Sequence, residues 1–158
     1  MINAETHDIR GVLIAVGGGR LLLPNANVAE VISYAAPEPL EAVPDWLRGQ
    51  VRWRGWRLPV LSFAGLVGWP VEEGGLGAKL VVLKALGGNP RLPYFTVVSQ
   101  GFPRLVSVGR DRLLALEDDG EQPLGVQARV QLGEDVAVIP DLMTVELLID
   151  EALTKAAA

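Results

Sequence analysis

Within a stretch of ten residues this chain carries no acidic residue and four arginines, at positions 48, 52, 54 and 57. Guanidinium groups bind carboxylates and phosphates through paired hydrogen bonds. Trp53 and Trp56 lie in the same stretch, and tryptophan rings stack on bases or anchor protein interfaces. Because the whole chain has a formal net charge of −5, this basic segment predicts a local recognition surface.

Two kinds of partner fit a surface of arginine and tryptophan. A small β-barrel nucleic-acid-binding module would use the hairpin 48–57 to bind phosphates, with Trp53 and Trp56 stacked on bases. The acidic total, 19 Asp and Glu against 14 Lys and Arg, argues against this alternative. A protein partner is the favoured interpretation. The third possibility is that the segment binds nothing and is an ordinary solvent-exposed strand face.

Residues that support catalysis or metal binding are scarce. His7 is the only histidine and the chain has no cysteine, so it lacks a Ser-His-Asp set, a Cys-His set and a typical zinc site. The acidic segments 117–121 and 134–135 are typical of solvent-exposed turns and lack the spacing of a calcium loop. The glycine run 17–19 predicts a β-turn. We therefore predict no enzyme, no metal and no cofactor, with a carboxylate-only hydrolase as the open alternative.

The composition predicts one all-β domain. Eighteen glycines and eleven prolines divide the sequence into short segments, as in folds of many small strands. A chain of 158 residues with 49% hydrophobic residues can form one well-filled core. Besides the two strands of the hairpin, we predict strands at 10–16, 20–24, 30–34, 79–86, 93–99, 105–108, 124–132 and 136–139.

The end of the chain has helical rather than strand periodicity. Apolar residues recur at the spacing of a helix face, at Leu142, Val145, Leu148, Ile149 and Ala152. We place the domain at 10–150, with flexible termini at 1–9 and 151–158.

The location expected from the sequence is cytoplasmic. No segment approaches the roughly 20 apolar residues that span a bilayer, and the first ten residues lack the pattern of a signal peptide. A chain without cysteine has no need of an oxidising compartment. We therefore also expect no insertion into a membrane.

The basic segment predicts a β-hairpin whose turn lies at Arg54-Gly55. Val51 and Trp53 would share one strand face, with Arg52 on the other. Glu30 lies between apolar residues of a predicted strand, where a carboxylate requires a partner. We expect Glu30 and Arg54 to form a partly buried ion pair, with their charged groups within about 6 Å.

Motifs in residues 28–66 resemble the signature of the CheW-like adaptor family. The matching groups are V-A-E-V at 28–31, W-L-R-G at 46–49, R-G at 54–55 and L-P-V-L at 58–61. The spacing of these groups agrees with the family throughout this block. Over the rest of 10–150 the resemblance is looser.

The resemblance implies two packed, five-stranded, SH3-like β-barrels with short helical turns and a C-terminal helix. It also implies a non-catalytic scaffold that couples chemoreceptors to a CheA-type histidine kinase. The implied partners are this kinase, the cytoplasmic tip of a chemoreceptor and other CheW-like proteins. The positions that match the receptor-binding face, or the groove between the barrels, are Val28, Glu30, Val31, Gly49, Arg54, Gly55, Val97 and Val98.

Some positions depart from the family pattern. Ser62 and Ser99 stand where aspartate is usual. Arg52-Trp53 replaces Asn-Leu, and Phe95 lies near a usual glycine. These departures favour an accessory member, of a chemosensory system that controls type IV pili, over the main flagellar adaptor.

Overall fold

The computed structural model describes residues 8–72, 75–116 and 122–157. Within these ranges the chain forms eleven strands in two sheets, two α-helices and a short 3-10 turn at Asn25–Asn27. The prediction of an all-β fold with short helical turns and a C-terminal helix is therefore confirmed.

The first sheet is assembled from the two ends of the domain. Its strands are β1 (Ile9–Val16), β2 (Gly19–Pro24), β8 (Arg104–Val108), β9 (Leu113–Leu116), β10 (Val126–Leu132) and β11 (Asp135–Pro140). Their order is β8-β1-β2-β11-β10-β9, and β2 and β11 are parallel neighbours. A two-residue turn, Gly17-Gly18, joins β1 to β2, which confirms the β-turn predicted at the glycine run.

The second sheet is formed by the segment between β2 and β8. Its strands are β3 (Val28–Ser33), β4 (Leu47–Trp53), β5 (Trp56–Leu61), β6 (Lys79–Lys84) and β7 (Tyr94–Ser99), in the order β3-β6-β7-β5-β4. The short helix α1 (Phe63–Val67) follows β5, with Ser62 as its N-cap. The two sheets are therefore nested in the sequence and do not correspond to its two halves.

The strands do not divide five and five, because the first sheet has six. The strand that the sequence analysis did not predict is β9, which has four residues, each at least partly exposed. Its sequence, L-L-A-L, does not alternate apolar and polar residues, which is the pattern that identifies a half-buried strand in a sequence. Antiparallel pairing with β10 defines it instead.

The principal core lies between the two sheets and the C-terminal helix. Val12, Ile14 and Val16 of β1 belong to this core, whereas Leu13 belongs to a second cluster within the first sheet. Because successive side chains point to opposite faces of a strand, β1 is buried on both faces. The same holds in the second sheet for β6, whose buried residues are Leu80, Val81, Val82 and Leu83.

The C-terminal helix α2 (Leu142–Ala157) packs on the principal core. Val145 and Ile149 are buried there, as the helical spacing predicted. The helix continues beyond 150, so the expected boundary between the domain and a separate terminus is corrected: residues 151–157 are helical. The reason is that Ala152 is buried and that alanine, abundant here, has the highest helix propensity.

A buried carboxylate on α2 fixes the turn after β6. Glu146 is only 5% exposed. Its two oxygens accept the backbone N–H groups of Leu86 and Gly87, each at 2.8 Å. The sequence analysis did not identify this contact, because one glutamate on an amphipathic helix gives no sign that it faces inward.

Replacement of Glu146 by alanine should destabilise the fold, because the two backbone N–H groups lose their acceptors. We expect the free energy of unfolding to fall by about 2–3 kcal/mol, measured by urea denaturation. Glu151→Ala on the same helix is the control, since Glu151 pairs with the exposed Lys155 and its loss should leave the midpoint almost unchanged. Equal midpoints for Glu146→Ala and the parent would contradict this structural role.

Candidate functional site

The β4–β5 hairpin has the turn that the sequence predicted. Trp53 and Trp56 are opposed in the register, which leaves Arg54 and Gly55 as a two-residue turn. Both have positive φ, 47° at Arg54 and 81° at Gly55, as a type I′ turn requires. An arginine rarely adopts this conformation, so contacts of its side chain must help to hold the turn.

The structure brings Glu30, Trp53 and Arg54 together at the hairpin turn. One carboxylate oxygen of Glu30, Oε1, accepts hydrogen bonds from Nη2 of Arg54 at 2.8 Å and from Nε1 of Trp53 at 3.2 Å. The guanidinium carbon of Arg54 lies 4.6 Å from the centroid of the Trp53 ring. The side chains of Arg54 and Glu30 are 68% and 39% exposed, so the ion pair is more exposed than expected.

This contact joins the two edges of the second sheet. Glu30 lies on β3 and Trp53 on β4, which are the outermost strands of that sheet. Apolar contacts between the same edges accompany it, since Ile32 of β3 and Val51 of β4 pack against the same buried clusters. These side chains, together with a single backbone bridge between Gln50 of β4 and Glu38 beyond β3, close the sheet into a barrel-like shape.

The other predicted residues of this face differ in their accessibility. Val28 and Val31 of β3 are half-buried and pack against the principal core. Gly55 is open, because an added Cβ would meet no atom within 4 Å. Gly49 is buried, and an added Cβ would collide with the carbonyl oxygen of Glu38. Gly49 therefore has a structural role rather than an exposed contact.

The predicted groove residues Val97 and Val98 require correction. Val97 is 1% exposed and lies in the principal core, while Val98 is 5% exposed and lies in a cluster within the second sheet. As consecutive residues of β7 they point to opposite faces, so they cannot line one groove. Neither side chain is on the surface of the folded protein.

The arginines and tryptophans of the hairpin do not form one surface. Trp53 is buried at 7% exposure, whereas Trp56 is 44% exposed. Both tryptophans lie on one face of the hairpin, and Arg52 and Arg57 lie on the other by strand alternation. A nucleic acid would need phosphate contacts and base stacking on the same side, so this geometry gives no support to the nucleic-acid alternative.

A polar link that the sequence analysis missed connects the two sheets. The buried carboxylate of Glu72 accepts the hydroxyl of Ser62 at 2.6 Å and the backbone N–H of Gly17 at 2.7 Å. Ser62 Oγ in turn accepts the N–H of Gly65 at 3.0 Å and caps α1. Ser62, which departs from the family pattern, can donate to Glu72. An aspartate at position 62 would instead place a second carboxylate against that of Glu72, and the two like charges would repel.

The remaining acidic residues show no arrangement for chemistry in the described ranges. No group of three His, Cys, Asp or Glu side chains in these ranges is placed to hold a metal ion. Asp135 pairs with Arg20 at 3.4 Å and with Arg104 at 2.8 Å. His7 and the acidic segment 117–121 lie outside the described residues.

No helix in the described part of the chain is long and apolar enough to cross a membrane.

Two nested sheets, a shared core and an exposed hairpin tip define a small all-β domain. The chain belongs to the CheW-like domain family, whose sequence model matches residues 10–148. The crystal structure of the scaffolding protein TtCheW from Thermoanaerobacter tengcongensis is similar, with a TM-score of 0.72 and 12% sequence identity over 90% of each chain. No curated protein matches the sequence.

Exchange of Ser62 for aspartate, the residue usual in the family, should destabilise this protein because two buried carboxylates would be in contact. We expect a loss of about 2–4 kcal/mol in the free energy of unfolding, measured by chemical denaturation. A second change, Glu72→Gln, should restore most of this loss, because the amide can donate to Asp and still accept from Gly17. A double variant no more stable than Ser62→Asp would refute the proposed pairing of Ser62 with Glu72.

Proposed function

We propose that this protein is a non-catalytic adaptor that couples chemoreceptors to a CheA-type histidine kinase. The observation that carries the proposal is the match of residues 10–148 to the CheW-like domain, a family of scaffold proteins. The fold similarity to a scaffolding protein supports it. In this role the protein acts by holding two partners together and needs no catalytic residue.

The proposed receptor site lies where β3 meets the hairpin turn. Val28 and Val31 contribute half-buried apolar surface on the core-facing side of the edge strand β3, and Glu30, on the other side of that strand, holds the guanidinium of Arg54 at 2.8 Å. The absence of a side chain at Gly55 leaves room for a helix to approach the turn. The helical tip of a receptor would lie along the edge of β3, where it would cover the exposed parts of the valines and exchange hydrogen bonds with Arg54.

The proposed kinase site is a free edge of a sheet. In the first sheet the outermost strands are β8 and β9, and each exposes a leucine, Leu105 and Leu114, both at 60%. Unpaired edge strands with apolar side chains are suited to association with another sheet or barrel. The regulatory domain of the kinase, or another CheW-like protein, would bind there.

We place this adaptor in the cytoplasm, in an accessory chemosensory system that controls type IV pili. The support for this assignment is the set of departures from the family pattern, among them Arg52-Trp53 and Ser62. Deletion of the gene should then impair pilus-driven surface motility and leave flagellar swimming intact. The opposite result would assign the protein to the flagellar system.

The direct test is titration of the purified protein with the CheA regulatory domain and with receptor tips from its own organism. Arg54→Glu should weaken receptor binding by at least about tenfold, because it opposes Glu30 and removes a donor at the hairpin turn. Arg91→Glu is the matched control, since Arg91 is also an exposed arginine in an ion pair, with Asp150 at 3.5 Å. Its affinity should stay within about twofold of the parent.

The outcomes separate the proposal from its site. Saturable binding that Arg54→Glu loses and Arg91→Glu keeps would support both. Binding that both variants keep would reject the site but retain the adaptor function. Failure of the folded parent protein to bind either partner would reject the adaptor function.

A further inference from the structure

The outward face of the β4–β5 hairpin carries two arginines in direct opposition. Arg52 and Arg57 are Cα partners in the hairpin register, and both are exposed. Because Trp53 and Trp56 close the two-residue turn, this next pair is of the non-hydrogen-bonded kind, in which side chains are closest. Like charges at such positions repel and destabilise a hairpin.

Neither guanidinium is neutralised within the described part of the chain. No ion pair forms there between a carboxylate and Arg52 or Arg57, although Glu38 borders the same surface depression as Arg52. Arg104, by contrast, binds Asp135 at 2.8 Å. The opposed arginines therefore retain their hydrogen-bonding groups for a ligand outside the chain, at a cost in stability that is typical of binding surfaces.

The hairpin that presents these arginines is held by contacts on its other face and along the outer edge of β4. Trp53 is buried and donates to Glu30, and Arg54 is bound to the same carboxylate. The backbone of Gln50 on β4 pairs with Glu38, at 2.8 and 2.9 Å. A strand fixed in this way loses little conformational entropy when a ligand binds to it.

We propose that Arg52 and Arg57 together bind an acidic segment of a partner protein. Charge complementarity identifies the occupant: two adjacent guanidinium groups match the carboxylates of neighbouring Asp or Glu side chains. The net charge of −5 repels a long polyanion, which would extend over the acidic remainder of the protein. A short acidic segment interacts mainly with the two arginines, because salt screens charges that lie more than about 8–10 Å away. This surface lies beyond the proposed receptor site, because it uses neither Glu30 nor Arg54.

The test is titration of the full chain into a fluorescein-labelled hexaglutamate peptide at low salt, followed by fluorescence anisotropy. The parent should bind saturably, and the double variant Arg52→Gln/Arg57→Gln should bind at least about fivefold more weakly. The control is Arg10→Gln/Arg110→Gln, which changes the net charge equally at exposed arginines elsewhere. Its affinity should stay within about twofold of the parent.

A second measurement on the same variants excludes loss of folding as the cause. Removal of the opposed charges should leave the melting temperature of Arg52→Gln/Arg57→Gln equal to that of the parent or above it. A lower melting temperature would overturn the proposal, because the arginines would then be structural. The proposal would also fail if no saturable peptide binding occurs, or if both double variants weaken it equally.

An oligodeoxythymidylate titration distinguishes the remaining class of ligand. We expect it to bind more weakly than the peptide under the same conditions. Tighter binding of the oligonucleotide, lost in Arg52→Gln/Arg57→Gln, would overturn the proposal in favour of a nucleic-acid surface.

Discussion

The fold depends on strands that are buried on both faces. β1 and β6 each place alternate residues in the principal core between the sheets and the others in a cluster within their own sheet. Such strands consist almost entirely of apolar residues, as in V-L-I-A-V and L-V-V-L. A polar side chain at the buried positions of these strands would be removed from water on whichever face it occupied. The nested path of the chain is compatible with this constraint, because both sheets share one core.

Three glutamates connect elements that the apolar core does not join directly, each by accepting hydrogen bonds from distant parts of the chain. Glu72 links the turn of the first sheet to the cap of α1, and Glu146 links α2 to the turn after β6. Both are buried and accept hydrogen bonds from two donors each. Glu30 is the partly exposed member, and it joins the two edges of the second sheet at the hairpin turn. The two buried carboxylates thus stabilise the fold, while the carboxylate of Glu30 lies in the proposed receptor site.

The hairpin separates two kinds of surface. One face holds Trp53 against the second sheet, and its turn presents Arg54 beside β3. The opposite face presents Arg52 and Arg57. The proposed receptor site and the proposed site for an acidic segment therefore lie on different faces of the hairpin.

Local sequence patterns were enough to determine most of the elements. Alternation of apolar residues, the glycine run at 17–19 and Arg54-Gly55 predicted the strands and the two-residue turns, and the spacing of Val145 and Ile149 predicted α2. These features depend on residues close together in the chain. The family motifs were likewise local, and residues 10–148 match the family.

Tertiary structure alone decided which strands share a sheet and which side chains are accessible. Sequence could not show that 28–99 forms a sheet inserted into another, nor that Val97 and Val98 are buried. The sequence did not identify the hydrogen-bond partners of Glu72 and Glu146. The backbone donor to Glu72 is 55 residues away in the chain, and the two backbone donors to Glu146 are 59 and 60 residues away. The physical reason is that burial and long-range hydrogen bonds depend on how elements pack, whereas periodicity reports only the face on which a residue lies.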